Sequence, residues 1–242
     1  MIKVTLEGAK AAIEYLTKAE KQVRFATAVA LKRTAQLAKG AVEKEMRSVF
    51  DRPTRWTLNS LRLIPAKRDR LVARVEMKNE ADKSAPATKW LNPEIEGGPR
   101  PEKASERNLR QKGVLPSGRF IVPGKGAKLD RFGNMTKGAI TKALSGVGGF
   151  AEQGYSANAT NSRRSRAKGN AKRYFVLKRG SMPIGIAERT SRSRMHILLA
   201  FTRRPTYSKR LDFYGIGDKV VKRHLKDEFE KAYAKAMRTA RR

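Results

Sequence analysis

Residues 174–201 read YFVLKRGSMPIGIAERTSRSRMHILLAF, and this stretch decides the fold class. Its apolar runs, Tyr174 to Leu177, Ile184 to Ala187 and Met195 to Phe201, are separated by Arg179-Gly180-Ser181-Met182-Pro183 and by Thr190 to Arg194. Gly, Ser and Pro in those gaps supply turns. Short apolar runs joined by short loops predict an antiparallel meander of three strands, with the last and most apolar run at its centre. A sheet of this kind needs helical cover, and both ends of the chain offer it.

Toward the carboxyl terminus, Leu211-Asp212-Phe213-Tyr214-Gly215 reads as a loop. From Gly217 or Asp218 to about Ala240, Val221, Leu225, Phe229, Ala232, Tyr233, Ala236 and Ala240 share one helical stripe, with basic residues at the end as the dipole prefers. Toward the amino terminus, Ile2 to Glu7 alternates like a short strand. From Ala9 to about Phe50, apolar positions including Ile13, Leu16, Val23, Ala30, Leu37, Ala41 and Met46 recur at helical spacing with no proline. They predict one long amphipathic helix, with a break near Gly40.

The stretch between these ends is more irregular. Pro53 stops the long helix. Trp56 to Ile64 and Leu71 to Met77 predict a hairpin with one greasy side. Residues 79–113 carry Pro86, Pro93, Pro99 and Pro101 and read as a Pro-rich loop insertion with a short strand near Trp90. Val114-Leu115 and Phe120-Ile121-Val122 predict a second small hairpin. Lys137 to Leu144 predicts a short helix capped by Asn134 or Thr136 and ended by Gly146 to Gly149. Residues 152–173 read as a flexible basic loop: no large apolar side chain occurs from Asn158 to Lys172, so the segment has little to bury. The sum is a single α+β domain over 1–242, an antiparallel sheet packed by a long N-terminal and a C-terminal helix, with long basic loop insertions.

Charge limits the function classes. Lys and Arg number 55 against 22 Asp and Glu, a net charge of +33, so a polyanion belongs near this chain at some stage. The positive charge is spread along the chain and aromatics make up only 7%, which disfavours a base reader built on a recognition helix or a stacking platform. The chain has no cysteine, which excludes disulfides, thiol nucleophiles and thiolate metal sites. Its two histidines, His196 in an apolar run and His224 in a basic helix, read as packed or solvated side chains. Glu94 and Glu96 would point to opposite faces of an extended chain. Walker, nucleophile-elbow, zincin and calcium-loop motifs are all missing. Neither an enzyme nor a cofactor or metal site is expected. Met1 to Gly8 lacks the layout of a signal peptide and no stretch approaches the ~20 apolar residues of a bilayer span, which predicts neither export nor membrane insertion.

Several stretches together resemble the minor tail protein Z and tail completion proteins of tailed bacteriophages. They are the amphipathic helix through Arg33; Asp130-Arg131-Phe132-Gly133-Asn134-Met135-Thr136 with the short helix after it; Tyr174 to Leu177 with Pro183 to Arg189; and Leu199-Ala200-Phe201 through Pro205-Thr206-Tyr207 to Arg210-Leu211-Asp212-Phe213. The Trp56 to Met77 hairpin and Trp90 to Gly97 are similar to the strand pair and acidic-glycine segment of related neck proteins. The resemblance implies a structural virion protein, assembled in the host cytoplasm, at the tail or head-to-tail junction. It implies a ring of six copies or a multiple of six around the DNA channel, with neck, portal or tail proteins as partners. Arg163, Arg164, Arg166, Lys168, Lys172 and Arg173 are then the candidate contacts to DNA or to acidic neighbours. Trp56, Trp90, Phe213 and Tyr214 are the candidate packing or oligomer contacts. The alternative is a non-specific DNA-binding protein, internal to the virion or associated with packaging.

Overall fold

The computed structural model describes residues 7–79, 86–149, 162–167, 173–191 and 193–240. Of the expected strand over Ile2 to Glu7, only Glu7 is among them, and it opens a helix; most of the expected basic loop lies outside them. The chain is α+β, and its contacts gather into two compact units, Met1–Leu91 with Arg210–Arg242, and Asn92–Lys209.

In the first unit, helix α1 (Glu7–Val49) is packed against helix α7 (Phe213–Ala240). The two run antiparallel. Arg33 reaches Glu228 (Nη1 to Oε2 3.4 Å), and Arg210, just before α7, lies 5.7 Å over the ring of Phe50, just after α1. The buried face of α1 repeats every fourth residue: Ala26, Ala30, Thr34, Ala38, Val42 and Met46. Such a row turns about 40° around the axis per step, so its two ends face different neighbours. Alanines along it, met by Ala232 and Ala236 of α7, let the helix backbones approach closely. The helix continues through Gly40 without the expected break. A glycine there costs about 1 kcal/mol, and the buried Ala38 and Val42 on either side offset it.

Thr54 caps a one-turn helix, α2 (Arg55–Leu58), by accepting the Thr57 N–H at 3.1 Å, so Trp56 is helical and not part of the hairpin. Strands β1 (Leu61–Ile64) and β2 (Arg74–Met77) then pair antiparallel, Leu61 opposite Met77, and touch α1. Helix α7 starts at Phe213, four or five residues before the expected Gly217 or Asp218, because Asp212 accepts the Gly215 N–H at 3.0 Å and serves as a cap.

The expected Pro-rich loop is corrected by two helices. Helix α3 (Thr88–Glu96) holds Pro93 inside it, and the row Ala87, Leu91, Ile95 is buried. Burial at i, i+4 spacing outweighs the hydrogen bond that proline removes. On α3, Glu94 and Glu96 still diverge, since residues two apart on a helix do not face each other. Helix α4 (Ala104–Gln111) starts with Glu106 reaching back to the Lys103 N–H at 2.7 Å, a helix-start signal carried by the sequence. Between them, β3 (Gly98–Pro99) pairs with β8 (Thr206–Tyr207).

The second unit is built on a four-stranded antiparallel sheet in the order β4-β7-β6-β5: β4 (Phe120–Pro123), β7 (Met195–Thr202), β6 (Met182–Arg189) and β5 (Tyr174–Arg179). The meander is present and its last run is interior. Phe120 to Val122 do not pair with Val114-Leu115 as expected; they pair with β7, Ile121 opposite Phe201. The Val114 and Leu115 amides are already committed to Leu109 O at 2.9 and 3.2 Å, wrapping the end of α4. Helix α5 (Lys137–Gly146), capped by Thr136 through the Ala139 N–H (3.2 Å), covers β5 and β6. The β6–β7 register skips Leu198, which brings Leu199, opposite Ile186, onto the face shared by Tyr174. One core follows: Leu109, Leu115, Ile121, Ala143, Leu144, Tyr174, Ile186, Leu198 and Leu199.

Beside that core is a buried charge. Arg100 donates both Nη groups to the Glu106 carboxylate, and adds bonds to Ile121 O (3.2 Å) and Pro101 O (3.0 Å). Glu106, fully buried, also accepts from the Lys103 and Ile121 amides at 2.7 and 2.8 Å. Burial alone would raise its pKa; Arg100 and the two amides outweigh burial and hold the carboxyl below its ordinary range.

Candidate functional site

At one end of the sheet, the segment after β4, the start of α5 and the adjoining ends of β5, β6 and β7 enclose a cavity of ≈ 790 Å³. Its floor is a cross-strand row: Tyr174 lies opposite Glu188, and Glu188 opposite His196, so the three side chains share one face. Gly126 is required beside this row, because a Cβ there would overlap the His196 side chain. The close approach sets Lys125 and Lys128 at the cavity wall, and α5 contributes Lys142.

Four cations therefore face one carboxylate. Glu188 is already engaged: Arg173 donates Nε to it at 2.7 Å and the Tyr174 hydroxyl donates at 3.2 Å. Burial, and then the Glu188 charge, raise the Tyr174 pKa above its ordinary value against the opposing Arg173, so the phenol stays a donor. Among the described residues, Lys125, Lys128 and Lys142 make no ion pair. Within that set, the cavity carries four cations against one carboxylate.

The residues singled out from sequence divide sharply. Arg163 and Arg164 are exposed on a one-turn helix, α6 (Arg163–Ala167), which also carries Arg166. Lys168 and Lys172 lie outside the described residues. Arg173, the last residue of the expected flexible basic loop, is instead fixed to Glu188 in the cavity. Trp90 is half-buried on α3, whereas Trp56 is 57% exposed on α2. Phe213 and Tyr214 meet edge to face at 5.4 Å and line a second, apolar cleft of ≈ 280 Å³ between α1, α7 and β2. Thr34 also lines this cleft, and its buried hydroxyl has no partner among the described residues. Sequence reasoning missed Lys125, Lys128 and Lys142. Their only local signal is Gly124-Lys125-Gly126, whose isolated glycines favour a turn over a phosphate cradle when read alone, and their convergence is tertiary.

Compared with known protein families, curated proteins and solved structures, the chain finds no match. Among the described residues, no group of three His, Cys, Asp or Glu could hold a metal ion, and no helix is long and apolar enough to cross a membrane.

Proposed function

We propose that this chain is a structural virion protein of a tailed phage, completing the tail or joining it to the head as a ring component around the DNA channel. The observation that supports this reading best is the disposition of its positive charge. Basic side chains lie on both compact units and on most elements, and acidic residues are too few to neutralise them. A wall of this kind attracts a passing polyanion through its phosphates without reading bases. Repeated copies around an axis would present it continuously, with DNA or acidic neighbours offsetting their mutual repulsion. Exposed Trp56, Tyr214 and Val221 in the helical unit supply apolar surface for contacts between copies or with neck proteins.

The test is assembly. The purified chain, alone and mixed with the neck and tail proteins of its own particle, is examined by mass photometry and negative-stain microscopy. Rings of six copies or a multiple are the expected result. A chain that stays monomeric with every partner, while binding duplex DNA with a steep loss on adding salt, would point to the non-specific DNA-binding alternative.

A further inference from the structure

We infer that the cavity beneath α5 is a phosphate-binding site that takes a nucleotide-sized ligand, either free or at the end of a nucleic-acid strand. This inference stands whether or not the chain is a virion part. Three lysines from two separate segments, Lys125 and Lys128 after β4 and Lys142 on α5, converge on one concave space with no ion pair among the described residues. Their mutual repulsion is relieved by an anion placed between them. The one carboxylate that lines the cavity among the described residues, Glu188, is taken by Arg173 and by the Tyr174 hydroxyl.

The type of cation selects phosphate over carboxylate. Arginine forks match carboxylates in bidentate pairs, whereas lysine acts as a compact point charge that serves phosphate well. The cavity's arginine is already committed, so the free cations are lysines. Size selects the scale: ≈ 790 Å³ lies within the range of ligand pockets, roughly 300–1,000 Å³. It exceeds what a lone ion fills, and a duplex is too wide to enter. Helix α5 also begins here, and its dipole adds partial positive charge to the same wall.

The test titrates the full chain, at about 150 mM salt to suppress general attraction, with pyrophosphate and with one short thymidine strand carrying or lacking a 5′-phosphate. Lys128→Gln with Lys142→Gln alters two exposed cavity residues. Lys222→Gln with Arg223→Gln on α7 removes the same charge elsewhere. Saturable binding of one pyrophosphate per chain is expected, weakened about tenfold by the cavity pair and less than about twofold by the α7 pair. Equal preference for the two thymidine strands, alongside pyrophosphate binding, would support the free-nucleotide source; tighter binding of the phosphorylated strand would support a strand end. The inference is overturned if no probe saturates, if both variant pairs weaken binding equally, or if a short Glu-rich peptide occupies the cavity more tightly than pyrophosphate.

Discussion

Where α1 passes α7, the buried side chains are mostly alanines: Ala26, Ala30, Ala38, Ala232 and Ala236. Where α5 covers the sheet, they are Leu109, Leu115, Ile121, Leu144, Tyr174, Ile186 and Leu199. The first unit is held by close backbone approach along a narrow stripe, and it leaves Val23, Leu37, Trp56, Val72, Tyr214 and Val221 exposed. The second has a filled core with a satisfied ion pair beside it. The difference teaches that a chain with only 39% hydrophobic residues can join two helices largely through alanines, with Val42, Met46 and Leu211 among the larger buried side chains of that unit, and fill a separate core with large ones. It also assigns different weak points to the two units.

The largest effect is expected at Glu106. Glu106→Gln leaves the Arg100 guanidinium buried without its counter-charge, at a cost of about 3–5 kcal/mol. In denaturant titrations the sheet unit should unfold first while the helical far-UV signal persists. A single shifted transition for the whole chain would break the comparison. The same carboxylate gives a pH signature. Its folded pKa lies below its unfolded one, so the pair stabilises the unit above the ordinary carboxylate range and loses that contribution as pH falls through the lower folded value. Acid titration should therefore weaken the wild-type sheet unit, and Glu106→Gln should flatten that part of the profile.

Among its described residues the helical unit buries no such charge, and it should answer to volume instead. Ala30→Leu inserts bulk where the backbones are close and should cost about 1–3 kcal/mol, read as a lower melting temperature of the helical signal. Thr34→Val should act in the opposite direction. Unlike Thr27, which donates to Val23 O at 2.8 Å, Thr34 keeps a buried hydroxyl without a partner among the described residues, and its removal should gain about 1 kcal/mol. The smallest effect belongs to the Arg33–Glu228 pair across the two helices, whose arginine is 44% exposed. Glu228→Gln should cost under about 1 kcal/mol and less at high salt.

These contrasts also explain what the sequence made legible. The meander, the terminal helices and the α5 cap follow from apolar periodicity and local hydrogen-bonding residues, so each appears in the structure close to its expected place. Helix α3 was hidden because Pro93 is a strong local signal, whereas the burial of Ala87, Leu91 and Ile95 depends on neighbours distant in sequence. Glu106 stands three residues after its cap like many exposed helix-start glutamates, and nothing local shows that Arg100 and the β4 amide close over it. The cavity was less legible still. Arg173 was visible as part of a basic run, but its partner Glu188 is 15 residues away, and the lysines that complete the wall come from segments read as turn and helix.

The central claim is the place of this chain in a particle, and a reconstruction of the head-to-tail junction and tail tests it most directly. The account predicts a ring of six copies or a multiple, each fitted by the antiparallel α1–α7 pair and the four-stranded sheet, with basic side chains toward the DNA path. A complete particle whose neck and tail hold no copy of this chain would contradict it.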